Sequence, residues 1–189
     1  MTGSGTRPSG GPSGGGEDAP RWYAMYTRSR HEKKVELQLN EKGIPVYLPM
    51  KRSLKKWSDR KKWVEEPLFK SYIFVQGGKQ ERYRAVQCVG VVRLVTFQGQ
   101  LAVVRDEEIE MIRRILAEAS DPESAPVEAG PGDTVEIESG PLAGLRGRIV
   151  EVQAAKRFLV SIPSISQGIR FNVDRWNVRK ISGQNHSSS

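Results

Sequence analysis

The 189 residues carry 30 basic and 22 acidic side chains, a net charge of +8, and 37% are hydrophobic, which suits one ordinary domain or two small ones. No run approaches 18 uncharged apolar residues and no basic-then-apolar segment opens the chain, so neither a membrane span nor a secretory signal is expected. Cys88 is the only cysteine, and His31 and His186 are the only histidines, which excludes an intramolecular disulfide and a zinc site needing two thiolates.

Residues 1–20 are a Gly/Ser/Pro-rich segment read as a disordered tail. Trp22 to Thr27 reads as a strand. Ser29 followed by Glu32 fits a capping box for a helix over 30–42, which Gly43 ends. Ile44 to Leu48 is a short or edge strand because of Pro45 and Pro49. Residues 51–66 read as a basic hairpin with Ser58-Asp59 near its turn, and Tyr72-Ile73-Phe74-Val75 lies in a dense strand. A short helix is expected over 79–88 with Tyr83 and Val86 on one side. After Gly90 comes a strand from Val91 to Phe97, then a helix over 107–118 capped by Asp106. Its apolar stripe is Ile109, Ile112 and Leu116 with Met111 and Ile115. Strands and helices alternating with short connections predict an α+β sandwich over 21–118.

Residues 119–131, with Pro, small residues and like charge, read as an extended linker. From Gly132 the hydrophobic period becomes two. Five short strands are expected, at 134–137, 145–152, 158–162, 169–173 and 176–181, forming a small β-barrel over 132–181. Gly147 inside a strand suggests a bend or a close backbone approach. Residues 182–189 read as a frayed tail.

Charge is unevenly spread. Residues 21–118 carry +9, and residues 51–62 hold seven cations (Lys51, Arg52, Lys55, Lys56, Arg60, Lys61, Lys62) against Asp59. A polyanionic partner is the functional reading, since Trp57 and Trp63 interleave with the cations; an ordinary solvated hairpin is the alternative. Three catalytic look-alikes fail on context. His31-Glu32-Lys33-Lys34-Val35 lacks the second His of a zinc-protease helix. Gly11-Pro12-Ser13-Gly14-Gly15 has no flanking strand and helix, and Gly77-Gly78-Lys79-Gln80 lacks the first Gly and the Mg²⁺-binding hydroxyl of a phosphate loop. No catalytic residue, metal or cofactor is expected, and the chain reads as something other than an enzyme.

Four segments together resemble the N-terminal (NGN) domain of NusG-type transcription elongation factors. They are Arg21-Trp22-Tyr23-Ala24-Met25-Tyr26, His31-Glu32-Lys33-Lys34-Val35, Pro67-Leu68-Phe69-Lys70-Ser71-Tyr72-Ile73-Phe74-Val75 and Gly90-Val91-Val92. Asp133-Thr134-Val135 with Gly140-Pro141-Leu142-Ala143-Gly144-Leu145-Arg146-Gly147 resembles a KOW motif, whose marker glycines are Gly140, Gly144 and Gly147. The resemblance covers about residues 21–181, and the 57–62 hairpin is similar to specialised paralogues of the UpxY and RfaH sort. It implies an NGN-type sandwich followed by an SH3-like five-stranded barrel, in a cytoplasmic bacterial monomer that suppresses pausing and termination at particular operons. It further implies docking onto the clamp helices of the RNA polymerase largest subunit through Tyr26, Phe69 and Tyr72, where the family's usual Pro-Gly is replaced by Lys70-Ser71. Core packing is the plain alternative for all three. Arg28, Arg30, His31 and Lys34 match the face that meets non-template DNA in family members. The hairpin cations Lys55, Lys56, Arg60, Lys61 and Lys62 are the further candidates, for DNA or nascent RNA. Ile165 is followed by Ser166-Gln167-Gly168 in place of the family's Phe-Gly-Arg tip, so contact with a ribosomal protein or Rho is not expected. A KOW-type RNA-binding or ribosome-associated module is the competing reading.

Overall fold

The alternation of Trp22, Ala24 and Tyr26 with Tyr23 and Met25 gives the first strand two apolar faces, as a central strand requires. The computed structural model describes residues 19–56, 61–119, 121–126, 133–152, 155–172 and 176–181. Its N-terminal elements are β1 (Arg21–Thr27), α1 (Glu32–Glu41), β2 (Val46–Tyr47), β3 (Met50–Lys56), β4 (Lys61–Pro67), β5 (Tyr72–Gly77), α2 (Lys79–Val86), β6 (Val91–Leu94), β7 (Thr96–Phe97), β8 (Gln100–Leu101), β9 (Val103–Val104) and α3 (Asp106–Glu118). The antiparallel sheet runs β2-β5-β1-β6, with β9 also on β1. One face meets α1 and α2 through Met25, Ile73 and Val75 against Val35, Leu39 and Ala85. The other carries Trp22, Ala24, Tyr72 and Phe74 in one apolar cluster with Ile109, Ile112 and Ile115 of α3. β3 and β4 form a separate two-stranded sheet.

The C-terminal elements are β10 (Glu123–Pro126), β11 (Thr134–Ile137), β12 (Arg146–Val152), β13 (Ala155–Ile162), β14 (Gln167–Asn172) and β15 (Val178–Lys180), with a 3-10 turn at Pro163–Ile165. They make an antiparallel sheet in the order β10-β14-β13-β12-β11-β15. Six strands therefore replace the expected five. The extra one comes from the segment read as a linker: Glu123 to Pro126 pair with Arg170 to Gln167, and Glu123 bridges Arg170 at 3.0 Å. Extended, Pro-containing chain at a sheet end is still able to accept ladder hydrogen bonds. Gly147 sits where a Cβ would meet the Leu159 carbonyl oxygen at 2.5 Å and the Phe158 ring at 2.7 Å, so only glycine lets β12 lie this close to β13.

Several local expectations are corrected. Ser29 does not cap α1. The helix starts at Glu32 after Arg30 takes a left-handed φ of 62°, and the buried Glu32 carboxylate accepts the Ser71 N–H across the sheet at 2.8 Å. Asp106 does not cap α3 either. It is the first helical residue, and Glu108 turns back to accept the Arg105 N–H at 2.9 Å. The side of α2 that carries Tyr83 and Val86 is exposed. Tyr83 is 67% exposed and Ala85 makes the contact. The 91–97 strand breaks after Leu94: Val95 still donates to Ala24 of β1 (2.9 Å), and from Thr96 the chain turns away to pair as β7 with β8. On α3, Met111 and Leu116 are only partly buried.

Phe69 to Tyr72 form a tight turn, with the Tyr72 N–H on the Phe69 carbonyl (3.3 Å). Ser71, its third residue, has φ 63°, a position that suits Gly in a type II turn. Ser71→Gly is therefore expected to raise the melting temperature by about 2 °C, the relief of a strained φ outweighing the added freedom of the unfolded chain. Thermal unfolding of the two proteins checks this, and a lower melting temperature contradicts it.

Two side chains of α3 join the N- and C-terminal parts: Glu108, which in sequence reads only as a helix N-terminal acid, and Arg114. The buried Glu108 carboxylate accepts from the Ser164 hydroxyl (2.5 Å), and the Arg114 guanidinium donates to the carbonyls of Pro141 (2.7 Å) and Ala143 (3.1 Å). The apolar cluster that holds α3 extends to Val135, Ile137, Phe158 and Phe171 of the C-terminal sheet and to Ile165 of the 3-10 turn.

Candidate functional site

β1 and β5 run antiparallel with Tyr26 opposite Tyr72, so their side chains share a face. The rings lie 4.5 Å apart between centroids and the two hydroxyls are hydrogen-bonded at 2.5 Å. On the other side of β1, Tyr26 is opposite Arg93, whose guanidinium stands 4.6 Å from the Tyr26 ring, a cation–π distance. Tyr26 is half-buried and Tyr72 is 8% exposed. Phe69 is only 2% exposed and packs edge-on against Phe74, centroids 6.3 Å apart. Of the three aromatics, Tyr26 thus offers the most surface, Tyr72 supports it, and Phe69 belongs to the core beneath.

Burial and the bond to Tyr26 push the Tyr72 phenol well above its ordinary range, with Arg93 opposing. Burial also pushes Tyr47 up to about 12, Arg113 opposing and Glu110 adding. Both phenols are raised in the folded state, so the unfolded chain loses these protons first. Stability is expected to hold below about pH 10, the unfolded phenol value, and to fall from there through about 12 for Tyr47. Denaturant titrations across that window, read beside phenolate absorbance, check the sign; stability that rose with pH there would contradict it.

The cations gather at the end of β1. The Arg28 N–H donates to the Gly90 carbonyl (2.8 Å), and a Cβ on Gly90, which has φ 105°, would touch His31 at 3.0 Å. Gly90 thereby seats the start of α1 against the start of β6. Arg28, Arg30, Lys34 and Arg93 are exposed, while His31 is half-buried and its Nδ1 donates to the Ser29 carbonyl (3.1 Å). Arg93 completes this cluster beside Tyr26. A single basic residue within Val91-Val92-Arg93-Leu94 was the only sequence sign of it.

The hairpin cations form a second group. Lys61 and Lys62 are exposed, and Lys55 and Lys56 hold the register positions opposite Lys62 and Lys61. Arg60 and Trp57, with Ser58 and Asp59, lie outside the described residues. Gly140 and Gly144 flank the turn whose carbonyls receive Arg114, so the KOW-like turn faces α3. Among the described residues, no group of three acidic, His or Cys side chains could hold a metal ion, and no helix is long and apolar enough to cross a membrane.

A family profile described as "Transcription termination factor nusG" matches residues 20–113. The transcription termination/antitermination protein NusG of Pseudomonas aeruginosa is 27% identical over 178 residues, which span 86% of this chain and 99% of that protein. A solved structure described as "Domain interaction in Thermotoga maritima NusG" superposes with a TM-score of 0.54 at 26% identity, covering 86% of this chain and 97% of the other.

Proposed function

The chain belongs to the NusG family of transcription termination/antitermination factors, and we propose that it binds RNA polymerase and suppresses pausing and termination as an operon-specific antiterminator. The observation that carries this reading is the tyrosine pair at the end of β1, Tyr26 half-buried and Tyr72 buried, bonded hydroxyl to hydroxyl, with Arg93 over the Tyr26 ring and the exposed Arg28 and Arg30 just after it in the chain. An aromatic anchor with one arginine on its ring and exposed cations nearby in the chain suits a protein contact beside a nucleic acid. Tyr26 and Tyr72 dock on the clamp helices of the largest subunit, and Arg28, Arg30, His31 and Lys34 hold the displaced non-template strand. No bond is made or broken. Preferential binding to the closed, elongating enzyme shifts its population away from the paused state.

The specialised role draws on the C-terminal part. Ser164 bonds to Glu108, Ile165 is buried, and Ser166-Gln167-Gly168 follows where a general factor would present Phe-Gly-Arg. That tip has no aromatic anchor for a ribosomal protein. The protein acts as a monomer in the bacterial cytoplasm, beside the transcription machinery.

Transcription with purified core polymerase through an intrinsic terminator tests the reading. The chain is expected to raise read-through, and reversing Arg28 and Arg30 to Glu should remove most of that gain while leaving the fold unchanged, since both side chains are exposed. Termination unaltered by the native chain on every template tried, including its own operon leaders, would contradict it.

A further inference from the structure

β3 and β4 pair in unbroken register from Met50 opposite Pro67 to Lys56 opposite Lys61. Alternation along such a ribbon puts Arg52, Leu54, Lys61, Trp63 and Glu65 on one face. Trp63 keeps 60% of its surface exposed and Leu54, directly opposite, keeps 48%. An indole and a leucine so open add little to the core. The Arg52 guanidinium stands 5.7 Å from the Trp63 ring, and Lys61 and Lys62 follow toward the tip, both exposed. The face looks into a groove of about 1010 Å³, walled on the other side by Leu116, Ala119 and Pro122.

We propose that this face is a stacking platform for single-stranded RNA. A base lies on the Trp63 indole beside Arg52, and the sugar-phosphate chain runs toward Lys61, which shares that face, and then past the ribbon to Lys62 on the opposite face. The inference rests on the hairpin being a nucleic-acid surface and adds what that surface recognises. Lysines alone attract any polyanion, whereas an open indole rewards an unpaired base. A duplex hides those base faces, which selects a single strand. Of the two carboxylates in the groove, Asp121 is held by the Arg157 guanidinium at 3.5 Å, while Glu65, on the Trp63 face, repels phosphate and can only accept hydrogen bonds. The donors Glu65 suits are base amino groups and the ribose 2′-hydroxyl, and the second of these is present in RNA and absent from DNA. A protein segment would fill the groove without needing seven cations in the twelve residues 51–62.

The test uses the full chain and fluorescence anisotropy with three labelled probes: a short unstructured oligoribonucleotide, the same ribose-phosphate chain without bases, and DNA of the same sequence. Trp63→Ala should weaken RNA binding about tenfold, the loss of one stacked base. Trp63→Phe should restore most of it. Neither should change binding of the abasic chain or the salt slope. Reversing Lys61 and Lys62 to Glu should weaken both chains and flatten the salt slope by about 0.7 for each phosphate no longer neutralised. DNA should bind more weakly than RNA. Unchanged RNA affinity in Trp63→Ala, equal affinity for the abasic chain, or DNA binding as tight as RNA would each overturn the proposal. If the lysine reversals matter and Trp63 does not, the hairpin still contacts phosphates and only the platform fails. If neither matters, the nucleic-acid reading of the hairpin falls as well. Trp63 is exposed enough that its removal leaves the fold intact, so a loss of RNA binding cannot be blamed on unfolding.

Discussion

Phe69→Ala is expected to destabilise the protein by about 3–5 kcal/mol, the range for deleting a buried aromatic ring from a packed core. The ring is 2% exposed, lies edge-on to Phe74, and shares its apolar cluster with Ile109 and Ile112 of α3. Removing it opens a cavity between the sheet and α3 that neighbouring strands cannot close, because Tyr72 and Phe74 are fixed by their pairing to β1. Chemical denaturation of the full chain measures the loss. A cost near that of a surface substitution, about 0.5 kcal/mol, would show that Phe69 is not a core residue. The consequence for function is direct. Loss of polymerase binding in this variant would report unfolding, so Phe69 is the wrong residue with which to probe docking.

Tyr26→Ala is the variant that reports docking. It should weaken affinity for core RNA polymerase about thirtyfold, the usual minimum for truncating a central aromatic anchor. The residue is half-buried, so some stability is lost too, and far-UV dichroism must show the variant folded at the titration temperature. Tyr72→Phe separates the two contributions. It keeps the ring in the core and deletes only the 2.5 Å bond to the Tyr26 hydroxyl. Its effect should be several-fold smaller, because Tyr26 keeps its ring contact with Arg93. Native affinity in folded Tyr26→Ala would remove the tyrosine pair from the interface.

Strands and helices were legible wherever apolar period and breakers agreed. Trp22 to Thr27, the 107–118 stripe and the period-two pattern after Gly132 all lie in or against regular elements. The resemblance to NusG-type factors was legible from short motifs because those motifs carry geometry: Gly147 stands where no Cβ fits, and Gly90 holds a φ of 105° with His31 only 3.0 Å from where a Cβ would be. Hydrogen bonds from helices to distant turns were not legible. Glu32 stands three residues after Ser29 and reads as a capping partner, yet its carboxylate is spent on Ser71, 39 positions away. Glu108 likewise reads as a first-turn acid and serves both Arg105 and Ser164. Nothing local distinguishes a carboxylate that caps its own helix from one that satisfies a distant amide. Residues 123–126 escaped for a related reason. Their composition favours extended chain, and whether extended chain becomes β-structure depends on the partner β14 offers. Phe69 and Trp63 show the same limit from the other side, since hydrophobicity alone does not tell a buried ring from an open one.

The central claim is that the tyrosine end of β1 meets the largest subunit of RNA polymerase. A photo-reactive phenylalanine analogue in place of Tyr26, irradiated in an assembled elongation complex and mapped by mass spectrometry, tests it most directly. The same substitution at Tyr83, exposed on α2, serves as the control. Cross-links from position 26 to the clamp helices, with none there from position 83, are the predicted result. Cross-links from position 26 to ribosomal protein or to no polymerase subunit, in a complex that the chain demonstrably joins, would contradict it.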